Sequence, residues 1–258
     1  MCSLRSNSLD PVVLDEWRWH PFLEKTIKSF SLFNLKPCLI EDHFLNIENN
    51  LGSNLNTKKV QNCTWMGKSS KLRMARAVCL EAPKIASVLN FVAVPFEKFD
   101  LPFLGADFVT LPNGHLIALD LQPALKNDIQ HTEEVWDRLI PIQKHWQGML
   151  PSGGSIPSEA KPYFSPGFLW TRIPLGMEGD QLISEVISNA YNDYLSLYIE
   201  LVVKSEEVNN ERSLEIFAGQ KRYMRYRSEK DPARKMLRTF FGEEWAEDYI
   251  NNVLFNLS

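Results

Sequence analysis

The stretch LPFLGADFVTLPNGHLIALDLQPA, Leu101–Ala124, constrains the fold more than any other part of the chain. Two apolar runs flank the turn signal Pro112-Asn113-Gly114, the pattern of a β-hairpin inside a sheet. The hairpin register stays open at this level. A two-residue Asn113–Gly114 turn puts Asp107 opposite Asp120. A turn with Pro112 at its first corner and Gly114 left-handed puts Asp107 opposite Leu119. Pro112 suits the second, because it lacks the N–H that the tighter turn uses.

Further strand candidates surround it: Cys63–Met66, Lys71–Leu80, Ile85–Pro95, Phe103–Leu111, His115–Leu121 and the later FLWTRI. Consecutive strands with short connections favour an antiparallel sheet. Helical patterns lie outside this block. A first helix opens at Asp15, with Trp17 and Trp19 bracketing it. Glu133–Trp146, Asp180–Val203, Asn210–Arg227 and Glu243–Phe255 follow, and Asp231-Pro232 reads as the N-cap and N1 of another helix that Gly242 ends. The segment PSGGSIPSEAKPYFSPG is an excursion loop. Helix, strands, helices in that order predict a three-layer α/β/α sandwich around a central antiparallel sheet. Residues 1–258 form one domain, with 1–14 a flexible N-terminus.

Bulk properties exclude several classes. The 258 residues are 44% hydrophobic and 23% charged, which suits a soluble globular chain with a sizeable core. A net charge of −4 argues against general nucleic-acid binding. No run reaches the roughly 18 apolar residues of a membrane span. The N-terminus lacks the apolar core of a secretory signal. Cys2, Cys38, Cys63 and Cys79 form no CxxC pair, and the five histidines show no metal-ligand spacing. GxGxxG, GxxxxGK[ST] and GxSxG motifs are absent, so nothing points to a dinucleotide, a nucleoside triphosphate or a serine nucleophile.

Two features can carry chemistry. Aspartate is depleted in strands, so Asp107 and Asp120 within the apolar hairpin need a reason. A carboxyl removed from water favours its neutral form and becomes a candidate proton donor. For Asp107 that reading competes evenly with a plain hydrogen-bonding role, and for Asp120 the structural role is favoured. Gly105 and Ala106 would let a flat ligand approach the backbone. The second feature is Gly219–Phe240, with eight Lys or Arg and two acids, an excess of six positive charges. Solvated helix faces are the common explanation, and a surface for an acidic partner or carboxylated ligand is the sharper one.

Seven segments in order resemble one family: EWRWHPFLE (16–24), SVLNFVAVP (87–95), DLPFLGADFVTLPNGHLIALDLQP (100–123), VWDRLIPI (135–142), FSPGFLWTRIPLG (164–176), EKDPARKML (229–237) and YINNVLF (249–255). They resemble the ferredoxin-dependent bilin reductases, from about Glu16 to Leu257. The resemblance implies an open-chain tetrapyrrole between the sheet and the C-terminal helices. It implies no flavin, haem, metal or nicotinamide, with reduced ferredoxin as the external donor of single electrons. It also implies a substrate radical that takes protons from Asp107 and from Asp231 on the helical side.

Within the family, the branch that reduces the A-ring diene of 15,16-dihydrobiliverdin to phycoerythrobilin is the nearest in pattern. The alternatives are reduction of biliverdin at its C15 methine bridge, a bifunctional enzyme, or a non-catalytic bilin carrier. Relatives that form phycocyanobilin carry a histidine where Asn90 stands and a glutamate near Val78, so D-ring vinyl chemistry is not expected. The resemblance offers Arg172 as a propionate partner and Ser165 as a further substrate contact. Some relatives have a lysine where Pro232 stands, so that contact does not carry over. The basic segment becomes a docking surface for acidic ferredoxin. A monomer that receives its substrate from the preceding reductase, in a cyanobacterial cytoplasm or plastid stroma, completes the expectation.

Overall fold

Alternation of side chains along the strands, interrupted by a bulge between Leu72 and Met74, separates two cores, one on each face of a single sheet. The structure is a computed structural model describing residues 4–6, 14, 17–52 and 57–257. Its strands are β1 (Leu4–Ser6), β2 (Lys36–Pro37), β3 (Leu39–Glu41), β4 (Asn46–Leu51), β5 (Lys58–Lys68), β6 (Leu72–Ala82), β7 (Ala86–Pro95), β8 (Phe103–Leu111), β9 (Gly114–Gln122) and β10 (Leu169–Ile173). The helices are α1 (His20–Phe30), α2 (Asp42–Leu45), α3 (Ile129–Gln147), α4 (Met177–Gln181), α5 (Ser188–Lys204), α6 (Asn210–Lys230), α7 (Arg234–Phe241) and α8 (Glu243–Tyr249). A π-helical stretch, Leu182–Ile187, joins α4 to α5, and another, Ile250–Leu254, extends α8.

The main sheet runs β10-β9-β8-β7-β6-β5-β2, with β4 also paired to β5, and every pairing is antiparallel. Side chains such as Cys79, Phe91, Leu104, Phe108, Ile117 and Leu119 point to one face and pack with residues of α1, α3 and α5. Met74, Val78, Val88, Val94 and Phe103 point to the other and pack with α6, α7 and α8. This is the expected three-layer sandwich. Trp19 anchors the first layer: fully buried, it donates its indole N–H to Ser87 O at 3.1 Å and lies against Phe22 and Phe108.

Several expectations are corrected. The hairpin pairs Leu111 with Gly114, so Pro112 and Asn113 alone form its corner and Asp107 sits opposite Ala118. Neither proposed register holds. Pro112 takes the first corner, where its fixed φ is useful, and Gly114 supplies φ +139° as the strand resumes. A Cβ on Gly114 would stand 2.9 Å from Ile173 O, so the strand beside it also demands glycine. The first helix begins at His20, with Pro21 in its first turn, not at Asp15, which lies outside the described residues. Helix α7 begins at Arg234, and Asp231 ends α6 instead. Its carboxylate still caps locally, accepting from Ala233 N–H at 2.7 Å. Residues 36–51, unassigned from sequence, supply β2, β3, α2 and β4. Of residues 1–14, β1 pairs with β3 as a two-stranded ribbon, and 1–3 and 7–13 lie outside the described residues.

Candidate active site

The sheet face toward α6–α8 is not wholly apolar. Thr64, Val78, Asn90, Asp107, Ala118 and Trp170 stand in one row across β5, β6, β7, β8, β9 and β10. Asp107 is therefore central, and its strand neighbours Ala106 and Phe108 bury themselves in the opposite core. Period-two alternation explains how one carboxyl can sit between two core residues and still face a cleft.

That cleft has a volume of about 410 Å³. Val78, Val88, Leu116 and Met236 give it apolar walls, and Asn90, Asp107, Arg227, Asp231 and Tyr249 converge on it. A second compartment of about 360 Å³ shares Asp107, Ala118, Trp170, Arg227 and Pro232 with the first, and continues under Phe164, Phe168 and Tyr226. A long flat molecule lying through both would have Asp107 beneath it and Asp231 on its other side. Ala118 provides the close approach expected of Gly105 and Ala106. Ala106 faces the opposite core, and a Cβ on Gly105 would meet Gln122 Oε1 at 3.1 Å.

The polar groups are linked. Arg76 Nη2 donates to Asn90 Oδ1 at 2.8 Å, and Asn90 Nδ2 donates to Asp107 Oδ1. From the helical layer, Arg227 Nη2 lies 3.8 Å from Asp231 Oδ2, and the Asp231 side chain is only 6% exposed. Burial pushes the Asp231 carboxyl above the ordinary carboxylate range, against the opposing pull of Arg227 and the Ala233 N–H. Tyr249 closes the cleft floor through a 2.5 Å hydrogen bond with Thr64 Oγ1, and burial raises its phenol also.

Asp120 lies on the same face, opposite Gly105, and is fully buried. It accepts from Ser165 N at 2.9 Å and from Ser165 Oγ, while burial pushes it up to about 7. Ser165 is thus committed to Asp120 and does not line the cleft. A pocket of about 20 Å³ joins Asp107, Asp120, Gln122 and Arg227. Arg172 lies two residues beyond Trp170 along β10, opposite Leu116, exposed, with its Nε donating to Gly153 O at 2.9 Å. The structure therefore brings Asp107, Asp231 and Asn90 together and leaves Arg172 and Ser165 outside.

Sequence reasoning missed Arg227 and Arg76 as site residues. Arg227 was hidden in a charge run, yet it falls one turn beyond Tyr223 and two beyond Gln220, both buried. Arg76 sits in MARAVCLEA, where alternation with Ala75 and Ala77 marks an inward-facing cation. The basic run itself divides. Arg227 turns inward, Arg234 and Arg238 pair with Glu247, and Lys221, Arg222, Arg225, Lys230 and Lys235 remain exposed.

The sequence profile of the ferredoxin-dependent bilin reductases matches residues 23–256. The phycoerythrobilin:ferredoxin oxidoreductase of Prochlorococcus marinus (strain NATL2A) is 57% identical over 254 residues, covering 98% of each chain. The protein of the same name from Synechococcus sp. (strain RCC307) is 56% identical over 257 residues, covering 100% of this chain and 98% of its own. Among solved structures, phytochromobilin synthase from tomato in complex with biliverdin superposes with a TM-score of 0.77 at 27% identity, over 93% of this chain and 83% of its own.

Proposed function

This chain belongs to the ferredoxin-dependent bilin reductase family, an oxidoreductase family, and from that premise we propose that it reduces the A-ring diene of 15,16-dihydrobiliverdin to phycoerythrobilin. The observation that carries the reading is the placement of Asp107 on the sheet and Asp231 on the helical layer across one cleft. A flat tetrapyrrole between them meets a carboxyl on each face. The name shared by full-length relatives above 50% identity supports the choice of substrate.

The reaction consumes two electrons and two protons. Reduced ferredoxin supplies the electrons one at a time, so a bilin radical stands between the two transfers. Asp107 and Asp231 supply the protons, each breaking its O–H bond as a new bond forms on the substrate, and bulk water reprotonates the carboxylates. Burial raises the Asp231 carboxyl above the usual carboxylate range, the direction a proton donor requires. Asn90 and Val78, beside Asp107 in the same row, bring no titratable group to that end of the cleft. This favours chemistry confined to the two aspartates. The exposed Lys221, Arg222, Arg225, Lys230 and Lys235 form the surface offered to ferredoxin. The preceding reductase would supply the dihydro substrate.

An anaerobic absorbance time course with reduced ferredoxin, run in parallel on biliverdin and 15,16-dihydrobiliverdin with chromatography of the products, tests the reading. Conversion of the dihydro compound alone to phycoerythrobilin supports it. Consumption of biliverdin moves the assignment to the C15 bridge or to both steps. Binding with no change on adding electrons makes the protein a carrier.

A further inference from the structure

Arg76 is an arginine in the middle of a central strand, 1% exposed, with apolar Ala75 and Ala77 as neighbours. Burying a guanidinium is costly unless its charge is used. Its Nη2 donates to Asn90, while Nε and Nη1 have no hydrogen-bond partner among the described residues. It is within electrostatic reach of Tyr249 from α8, Asp231 and Arg227 from the end of α6, and Asp107 from β8. A buried arginine thus stands within electrostatic reach of one further cation and two carboxyls that line the cleft.

The chemistry of the contact fixes a direction. An asparagine amide has one accepting and one donating end, and both orientations fill nearly the same shape. A guanidinium only donates. Arg76 therefore holds Asn90 Oδ1, and the Nδ2 end must face Asp107 Oδ1, as it does. Of a carboxyl's two oxygens, the one that accepts from an amide N–H is favoured as the carbonyl oxygen, because the carbonyl is the better acceptor. With Oδ1 occupied by the Asn90 donor, Oδ2 is the Asp107 oxygen left for a proton.

We propose that Arg76 is a positioning residue: by orienting the Asn90 amide it occupies Asp107 Oδ1 with a donor and reserves Oδ2 for the proton delivered to the bilin. This rests on the bilin-reductase reading above. In the transfer, the Oδ2–H bond breaks, the proton bonds to the one-electron-reduced substrate, and Asp107 becomes a carboxylate. The Asn90 N–H, backed by the guanidinium, stabilises that carboxylate. Without Arg76 the amide is free to turn, and a neutral Asp107 can then spend its proton on Asn90 Oδ1.

The test compares wild type with Arg76→Met, Arg76→Lys, Arg76→Gln, Asn90→Leu and the Arg76→Met/Asn90→Leu double variant. Each is assayed anaerobically for kcat and KM with 15,16-dihydrobiliverdin. Arg76→Met should lower kcat roughly tenfold, the scale of one misdirected charge-assisted hydrogen bond, with KM within about twofold. Lysine, which also only donates, should recover most of the rate. Glutamine, which donates and accepts, should not. The double variant should be no slower than Asn90→Leu, since Arg76 acts through that amide.

The pH profile supplies a readout that mere packing would not move. The Arg76 charge opposes the burial that raises the Asp231 carboxyl, so its removal should carry the alkaline limb to higher pH. Wild-type kcat in Arg76→Met, equal rates for lysine and glutamine, or losses that multiply in the double variant would overturn the proposal. Should Arg76→Met fail to fold, the lysine–glutamine contrast decides. A wild-type enzyme that turns over no bilin sinks the functional reading instead.

Discussion

The same five strands, β5 to β9, build two faces of opposite character. Toward α1, α3 and α5 they present Trp65, Cys79, Phe91, Phe108 and Leu119, a mostly apolar surface in which His115 is a buried exception. Toward α6–α8 they present Arg76, Asn90, Asp107, Asp120 and Gln122 among valines and leucines. The first face stabilises by burial and close packing, each large side chain contributing roughly 1.5–3 kcal/mol. The second gives up part of that gain to hold polar and charged groups, where burial raises the Asp231 and Asp120 carboxyls. Stability and chemistry are separated by side-chain parity alone.

Asp107→Asn breaks the chemical face most directly. We expect turnover to fall by about 10²–10⁴-fold, the range for a lost general acid, while bilin binding, read by absorbance, survives. Full turnover would remove Asp107 from the mechanism. Asp231→Asn should also lower turnover strongly. In wild type, turnover should decline as pH rises through the raised Asp231 value, because only the neutral form donates, and the variant should lose that limb.

Phe108→Ala tests the other face. It should cost about 3–5 kcal/mol in denaturant unfolding, yet leave kcat per folded molecule near wild type. A selective loss of kcat would show that the two faces are coupled.

Asp120 tests the boundary between the faces. Burial raises its carboxyl to about 7 in the folded protein, above its unfolded value. The folded state then binds the extra proton, so stability is greatest below about pH 4 for this group and declines up to about pH 7. Asp120→Asn should flatten unfolding free energy across that window. An unchanged slope would remove Asp120 as its source. The smallest effects belong to the surface. Arg225→Gln or Lys230→Gln should lower kcat/KM for ferredoxin about twofold to threefold at low salt, with kcat preserved and the difference erased by salt.

Legibility from the sequence followed the strength of local patterns. Strands β6 to β10 and helices α3, α5 and α6 showed in period-two or helical runs. The segment CLIEDHFLNIENNL did not, because β3 and β4 are short edge strands with mostly exposed side chains, and their pairing partners are supplied by other segments. Asp107 was visible as a carboxyl in an apolar strand. Asp231 looked like an ordinary cap, and it does cap a turn while also facing the cleft.

Composition and alternation by themselves determined the layers, the central antiparallel sheet and the presence of two acids within a core hairpin, because burial requires those patterns locally. The pairing register, the inward turn of Arg227 and the line from Arg76 through Asn90 to Asp107 were decided only by tertiary structure. A hairpin loop that admits three pairings has no local preference strong enough to choose, and β10 packed against Gly114 helps to set the outcome. Charges 31 residues apart, Arg76 and Asp107, carry no mutual signal along the chain, and it is the sheet that places them two strands apart on one face.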